Sequence, residues 1–348
     1  MINFQSDYVE GAHPKILEMM AKTNMEQTPG YGHDPYCDRA KAKILAVCRA
    51  PAADVHFLVG GTQTNLTVIA SILRPHQGVL AADEGHIACH ETGAIEATGH
   101  KVLTLPSRDG TITGAQVAAY MEDHNQSEIR EHMVQPGMVY LSFPTESGTL
   151  YSKQQLTDLS ETCHRFGIPL YLDGARMGYG LTSPDNDLSL ADIAQCCDVF
   201  YIGGTKCGAL LGEAVVITND ALKKDFKYHI KQRGGMLAKG RLIGIQFDVL
   251  FENDLYFNIC RTAVGHALAI RQAFEQEGIS FYGHSMTNQQ FPILTDDQLA
   301  FFGTKYISEF WGKADENHSI VRFCTSWATK KESVDELISD IHAMGQIG

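Results

Sequence analysis

The feature that most restricts how this 348-residue chain can fold is its alternation of short apolar runs with longer amphipathic ones. Short apolar segments occupy 55–59, 78–82, 101–105, 138–143, 169–172, 198–202 and 214–218, and each reads as a buried strand. Helical patterns stand between them. One covers 63–73 and is stopped by Pro75, a second covers 113–123, and a third covers 152–166 with Ser152 as its cap and Gly167 as its stop. Strand and helix in turn, joined by short connections, imply an α/β architecture around a mainly parallel sheet. Beyond residue 250 the pattern changes. A long helix over 258–277 ends at Gly278, followed by a strand at 291–294, a helix near 296–310, a strand at 319–324 and a last helix at 331–344. The expected organisation is a large domain over 15–250 and a smaller α+β domain over 251–348, with residues 1–14 packing near the functional site.

The composition, 44% hydrophobic and 20% charged, is that of a folded protein rather than a disordered one. A net charge of −13 argues against a nucleic-acid partner, because phosphate backbones are bound by an excess of Lys and Arg. No segment approaches the roughly 20 apolar residues that span a bilayer, so no membrane partner is expected. Residues 1–15 lack the basic flank and apolar run of a secretory signal. The nine cysteines have no regular spacing, and Cys196 and Cys197 are adjacent, which fits a reduced, cytoplasmic setting.

Three constellations carry chemistry. Gly60-Gly61-Thr62-Gln63-Thr64-Asn65 follows a strand and opens a helix, so free backbone N–H groups and a positive dipole end meet at one point, a natural phosphate seat. The turn matches neither the P-loop nor the Rossmann glycine pattern, and a capped βα turn would use the same residues. Asp173, in Tyr171-Leu172-Asp173-Gly174-Ala175-Arg176, ends a strand where ligands of open α/β sheets gather. Its carboxylate suits a protonated pyridine nitrogen, a helix cap or Arg176. Lys206, in Gly203-Gly204-Thr205-Lys206-Cys207-Gly208, follows an apolar strand inside a glycine-rich turn. Desolvation there lowers a lysine pKa and makes the amine a nucleophile toward an aldehyde. In this order the three offer one group each to the phosphate, ring nitrogen and aldehyde of pyridoxal 5'-phosphate (PLP).

With these residues the chain resembles the threonine aldolase family, fold-type I PLP-dependent enzymes of the wider β-eliminating lyase superfamily. The similarity runs from Ile2-Asn3-Phe4-Gln5-Ser6-Asp7 through Tyr31-Gly32-His33-Asp34-Pro35, Gly61-Thr62-Gln63-Thr64-Asn65, His86 and Asp173-Gly174-Ala175-Arg176 to Lys206 and Val321-Arg322. The resemblance implies that Gly61 and Thr62 hold the cofactor phosphate, His86 stacks on the ring, Asp173 keeps the ring nitrogen protonated and Lys206 forms a Schiff base with the aldehyde. It further implies that Ser6, Arg176 and Arg322 hold the substrate carboxylate, a task suited to a forked guanidinium. Tyr31 matches a residue lining the site, in some members from the neighbouring subunit.

Two positions depart from the family. Where it carries a histidine in a Thr-His-Asn-Gly turn, this chain has the shorter Pro144-Thr145-Glu146-Ser147-Gly148, with Glu146 nearest the histidine. Glu146 is either a base for the substrate hydroxyl or a solvated turn carboxylate. Where the family has an arginine after Gly-Gly-Met, this chain has Leu237, so Lys231 or Arg233 is expected to serve the phosphate. The implied activity is retro-aldol cleavage of a β-hydroxy amino acid to glycine and an aldehyde. The implied assembly is a homodimer or homotetramer with active sites at the dimer interface. The alternatives are β-elimination or transamination on the same scaffold and, outside that class, a non-catalytic phosphate- or nucleotide-binding protein. No zinc-ligand spacing supports a metal hydrolase.

Overall fold

The computed structural model of the chain describes residues 1–345. A two-residue strand, β1 (Ile2–Asn3), and two helices, Pro14–Thr23 and Pro35–Cys48, precede the large sheet. The second helix starts where it does for a local reason. The Asp34 carboxylate accepts from the N–H groups of Tyr36 and Cys37, and Pro35 sits where no N–H is needed.

Seven strands form the sheet: β2 (Asp54–Leu58), β3 (Gln77–Ala82), β4 (Val102–Leu105), β5 (Gln135–Ser142), β6 (Leu170–Asp173), β7 (Val199–Gly203) and β8 (Glu213–Ile217). Their order is β2-β8-β7-β6-β5-β3-β4. The pairs β4-β3, β3-β5, β5-β6 and β6-β7 are parallel, and β8 runs antiparallel to both β7 and β2. The expected strands are all present, with ends shifted by no more than three residues, and the sheet is mainly parallel as the alternation implies.

The pleat sorts side chains between two cores. Leu80, Val139, Leu141, Leu172, Phe200, Ile202 and Val216 pack with Ile44, Val117, Leu156 and Ile243 of the helices on one face. Val79, Ala81, Met138, Tyr140, Tyr171, Val199 and Tyr201 pack on the other with Val68 and Ile69 of helix Gly61–Ile72 and with Ile230 of helix Phe226–Gln232. Helix Lys153–Phe166 begins in a Ser152–Gln155 capping box and ends at Gly167, whose φ of 67° is left-handed, as its sequence signals specify.

Helix Leu255–Gln276 leads to a third core in which Phe4, Phe274, Phe302, Phe323, Leu337 and Ile341 meet beneath the final helix, Lys331–Gly345. Strands β9 (Gln289–Gln290) and β10 (Ile293–Thr295) replace the single strand expected at 291–294, because Pro292 offers no N–H to a ladder. The helix expected near 296–310 covers only Asp296–Gly303. The residues after it form β11 (Tyr306–Ile307), parallel to β1, and β12 (Glu309–Lys313), antiparallel to β13 (His318–Cys324). Cross-strand pairing thus overrides a helical pattern that was already weak around Ser308 and the aromatic residues beside it. Among the described residues no helix is long and apolar enough to cross a membrane.

Candidate active site

The carboxyl ends of the parallel strands, the turn after β2 and the start of antiparallel β8 converge on a cavity of about 470 Å³. Eight of the twelve residues singled out in the sequence line it: Gly61, Thr62, His86, Glu146, Asp173, Arg176, Lys206 and Arg322. Ser6, Tyr31, Lys231 and Arg233 do not.

Gly61 opens the 12-residue helix Gly61–Ile72, so the first N–H groups of that helix face the cavity. A Cβ on Gly61 would stand 3.1 Å from Tyr201 Oη, and a side chain would fill the space left at the turn. Asp173 is 4% exposed and accepts three hydrogen bonds: Asn65 Nδ2 at 2.9 Å and Tyr140 Oη at 2.7 Å reach Oδ2, and the Ala175 N–H reaches Oδ1 at 3.0 Å. Asn65 is itself fixed, accepting from Tyr171 Oη at 2.7 Å and donating to Glu91 Oε1 at 2.7 Å. Glu91 Oε1 lies 2.8 Å from His86 Nδ1, so one network ties the orientation of Asp173 to that of His86. Burial works against a charge on His86, but the Glu91 hydrogen bond and the nearby Asp173 carboxylate outweigh it and raise the imidazole pKa.

Lys206 sits in the turn between β7 and β8, its carbonyl held by Tyr179 Oη at 2.6 Å. Burial, then the Arg176 charge, push its pKa down, against the pull of Asp7, Asp173 and Glu213. The approach of the two strand ends requires glycine. A Cβ on Gly174 would stand 2.1 Å from the Tyr201 carbonyl oxygen, and one on Gly203 would stand 2.2 Å from that of Ala175. Glu146 receives a hydrogen bond from Ser142 Oγ at 2.9 Å on Oε1, while Oε2 is buried and unpartnered among the described residues. Burial, chiefly, and the Asp173 charge raise its pKa.

Arg176 is gripped along one edge by Asp7, with Nε 2.7 Å from Oδ2 and Nη2 3.1 Å from Oδ1. Burial resists the Asp7 charge, but Arg176 overrides it and holds Asp7 down at about 2. Arg322, in β13, donates to Gln289 Oε1 at 2.9 Å and to the Gln5 carbonyl at 3.0 Å, pairs with Glu309, and lies 5.4 Å from the centre of the Trp311 ring. Ser6 is buried between Gln5 and Asp7, which tie the first segment to the two arginines.

Tyr31 and Arg233 lie away from this cavity. Tyr31 is half exposed, with Lys231 Nζ 4.8 Å above its ring, and Arg233 donates to Gln232 Oε1 at 3.2 Å. Asp7, Asn65, Glu91, Tyr140, Thr205 and Glu213 complete the site without having been singled out as functional. Their signals were positional: Glu91 stands five residues after His86, Asp7 directly after Ser6, and Tyr140 on the strand beside Asp173. Among the described residues no group of His, Cys, Asp and Glu is arranged to hold a metal ion.

A helix start open to an anion, a buried carboxylate at a strand end and a buried lysine after the next strand fit the three functional parts of PLP, and define a fold-type I PLP-dependent enzyme. The family model described as beta-eliminating lyase matches residues 3–326. A solved structure of threonine aldolase from Leishmania major superposes with a TM-score of 0.96 at 44% identity, covering 99% of this chain and all of that one. The chain therefore belongs to the beta-eliminating lyase family, in its threonine aldolase branch, whose enzymes depend on PLP. Curated low specificity L-threonine aldolases from a Pseudomonas species and from Pseudomonas aeruginosa are 26% and 27% identical, over 98% and 97% of this chain and 97% and 96% of their own lengths. A histidinol-phosphate aminotransferase from Clostridium acetobutylicum shares the fold, with a TM-score of 0.72 at 11% identity.

Proposed function

We propose that the enzyme cleaves a β-hydroxy amino acid of the threonine or allo-threonine type to glycine and an aldehyde, with Glu146 taking the hydroxyl proton. The observation that carries this reading is Glu146 Oε2, a buried and unpartnered carboxylate oxygen on the wall that also holds Lys206 and Asp173. When bound, PLP supplies the sink for the electron pair released at Cα.

The chain's own residues do the rest. Gly61 and Thr62 would offer N–H groups to the phosphate, and burial, which lowers the pKa of Lys206, favours its amine as the group that would hold the aldehyde. Asp173, oriented by Asn65 and Tyr140, keeps a proton on the ring nitrogen. His86, steadied by Glu91, would lie against the ring. Asp7 occupies the Nε edge of Arg176 and leaves its outer edge, with Arg322, to fix the substrate carboxylate. That grip would hold the Cα–Cβ bond in one orientation for cleavage. Removal of the hydroxyl proton by Glu146 then releases the aldehyde, and a proton returned to Cα completes glycine.

The raised pKa of Glu146 favours one second reading, in which a protonated Glu146 assists departure of a β-substituent and the products are ammonia and a 2-oxo acid. L-threonine and L-allo-threonine distinguish the two. We expect glycine and acetaldehyde in equal amounts, and a loss in kcat of roughly 10²- to 10⁴-fold in E146Q with cofactor absorbance retained. Ammonia with a 2-oxo acid, or an undiminished E146Q, contradicts the proposal. Tyr31 and Arg233, on an exposed flank, are assigned to the site of a neighbouring copy in a homodimer or homotetramer. The nine cysteines are free, which supports a cytoplasmic setting.

A further inference from the structure

Glu213 opens β8, the strand between β2 and β7, and its register sets it opposite Leu58 on one side and Gly203 on the other. Leu58 runs on into the Gly60-Gly61 turn, and Gly203 runs on into Lys206. One carboxyl thus stands beneath both the phosphate seat and the turn of the reactive lysine. It is 3% exposed and lines the cavity.

Its hydrogen bonds come from uncharged groups. Thr205 Oγ1 donates to Oε1 at 2.9 Å, and the Gly204 N–H reaches Oε2 at the longer 3.3 Å. Thr205 Oγ1 accepts from the Gly212 N–H at 3.0 Å, so its single proton is committed to Glu213. The groups facing Glu213 from neighbouring elements are the Lys206 ammonium, the Asp173 carboxylate and the Tyr171 and Tyr201 phenols. Helix Arg241–Leu250 brings Ile243 and Phe247 against Gly212 and Gly204, and no charge. Glu213 forms no ion pair among the described residues.

A carboxylate buried without a bonded cation is costly. Burial, and then the Asp173 charge, raise Glu213 to about 8 against the Thr205 hydrogen bond and the Lys206 charge. No step of the reaction above uses this group. A phosphate dianion arriving at the adjacent turn would repel its anion, whereas a carboxylic acid there donates a charge-assisted hydrogen bond.

We propose that Glu213 is a cofactor-binding residue that works as a carboxylic acid, so that loading PLP in alkaline solution places a solvent proton on its carboxyl group. No other bond is made or broken in this step. The inference rests on the cofactor reading above, and one experiment separates the two.

Full-length apoprotein is titrated calorimetrically with pyridoxine 5'-phosphate, whose alcohol forms no bond to Lys206, from about pH 7 to about pH 10 in buffers of low and high ionisation heat. The ring nitrogen of the ligand titrates alike with wild type and with E213Q, so their difference reports Glu213. Expected is about one more proton taken up by wild type than by E213Q above pH 8, and an affinity falling about tenfold more per pH unit. Equal uptake and parallel affinity profiles overturn the Glu213 assignment alone, and no binding at any pH overturns the cofactor reading with it. Should E213Q not fold, the infrared difference spectrum of wild type on loading at about pH 10 decides. A gained protonated-carboxyl band supports the assignment, and its absence overturns it.

Discussion

Single residues in this protein are legible from sequence when their role is tied to a local turn, and illegible when it depends on a distant partner. Lys206, Asp173 and Gly61 each end or follow a strand, and their place in the chain already suggested their chemistry. Nothing local to Asp7 announces that it meets Arg176, 169 residues away, or that Glu309 pairs with Arg322 across a ladder. The Asp7–Arg176 pair carries a prediction. Because Asp7 is depressed to about 2 when folded, its contribution to stability is whole above the ordinary carboxylate pKa of about 4. That contribution is lost as pH falls from there toward 2. D7N leaves a buried guanidinium unpaired and should lower unfolding stability by about 3–5 kcal/mol at neutral pH, and by progressively less in acid. Urea midpoints measured across pH check this, and a constant difference between the two proteins contradicts it.

At the scale of elements, hydrophobic alternation located every strand of the large sheet, because a buried strand must be apolar on both faces whatever lies beside it. Strand order and the reversed direction of β8 were not legible, since both are set by which neighbours complete each ladder. For the same reason the 296–310 helix was overextended: β12 exists only because β13 pairs with it. The join of β6 to β7 depends on close backbone approach at Gly174. G174A drives a Cβ to 2.1 Å from a backbone oxygen that cannot swing away. It should cost about 3 kcal/mol, the upper end for overpacking, and loosen cofactor binding as Asp173 shifts. A variant with unchanged melting and PLP affinity would show that the join tolerates expansion.

For the whole molecule, the cavity unites the ends of β2, β3, β5, β6 and β7 with β13, so the site exists only when the large sheet and the C-terminal strands are both in place. The flank bearing Tyr31, Tyr228 and Arg233 stands outside that cavity, and Tyr228 is 76% exposed. A neighbouring copy is the partner we assign to it, and light scattering should give at least twice the chain mass. A monomer with full activity would contradict that assignment. The central claim is that this cavity holds PLP through Lys206, and borohydride reduction of the loaded enzyme followed by peptide mass analysis tests it most directly. A phosphopyridoxyl adduct is expected on the peptide containing Lys206 and none in K206A. An adduct on a different lysine, or no adduct on protein that has taken up PLP, would contradict it.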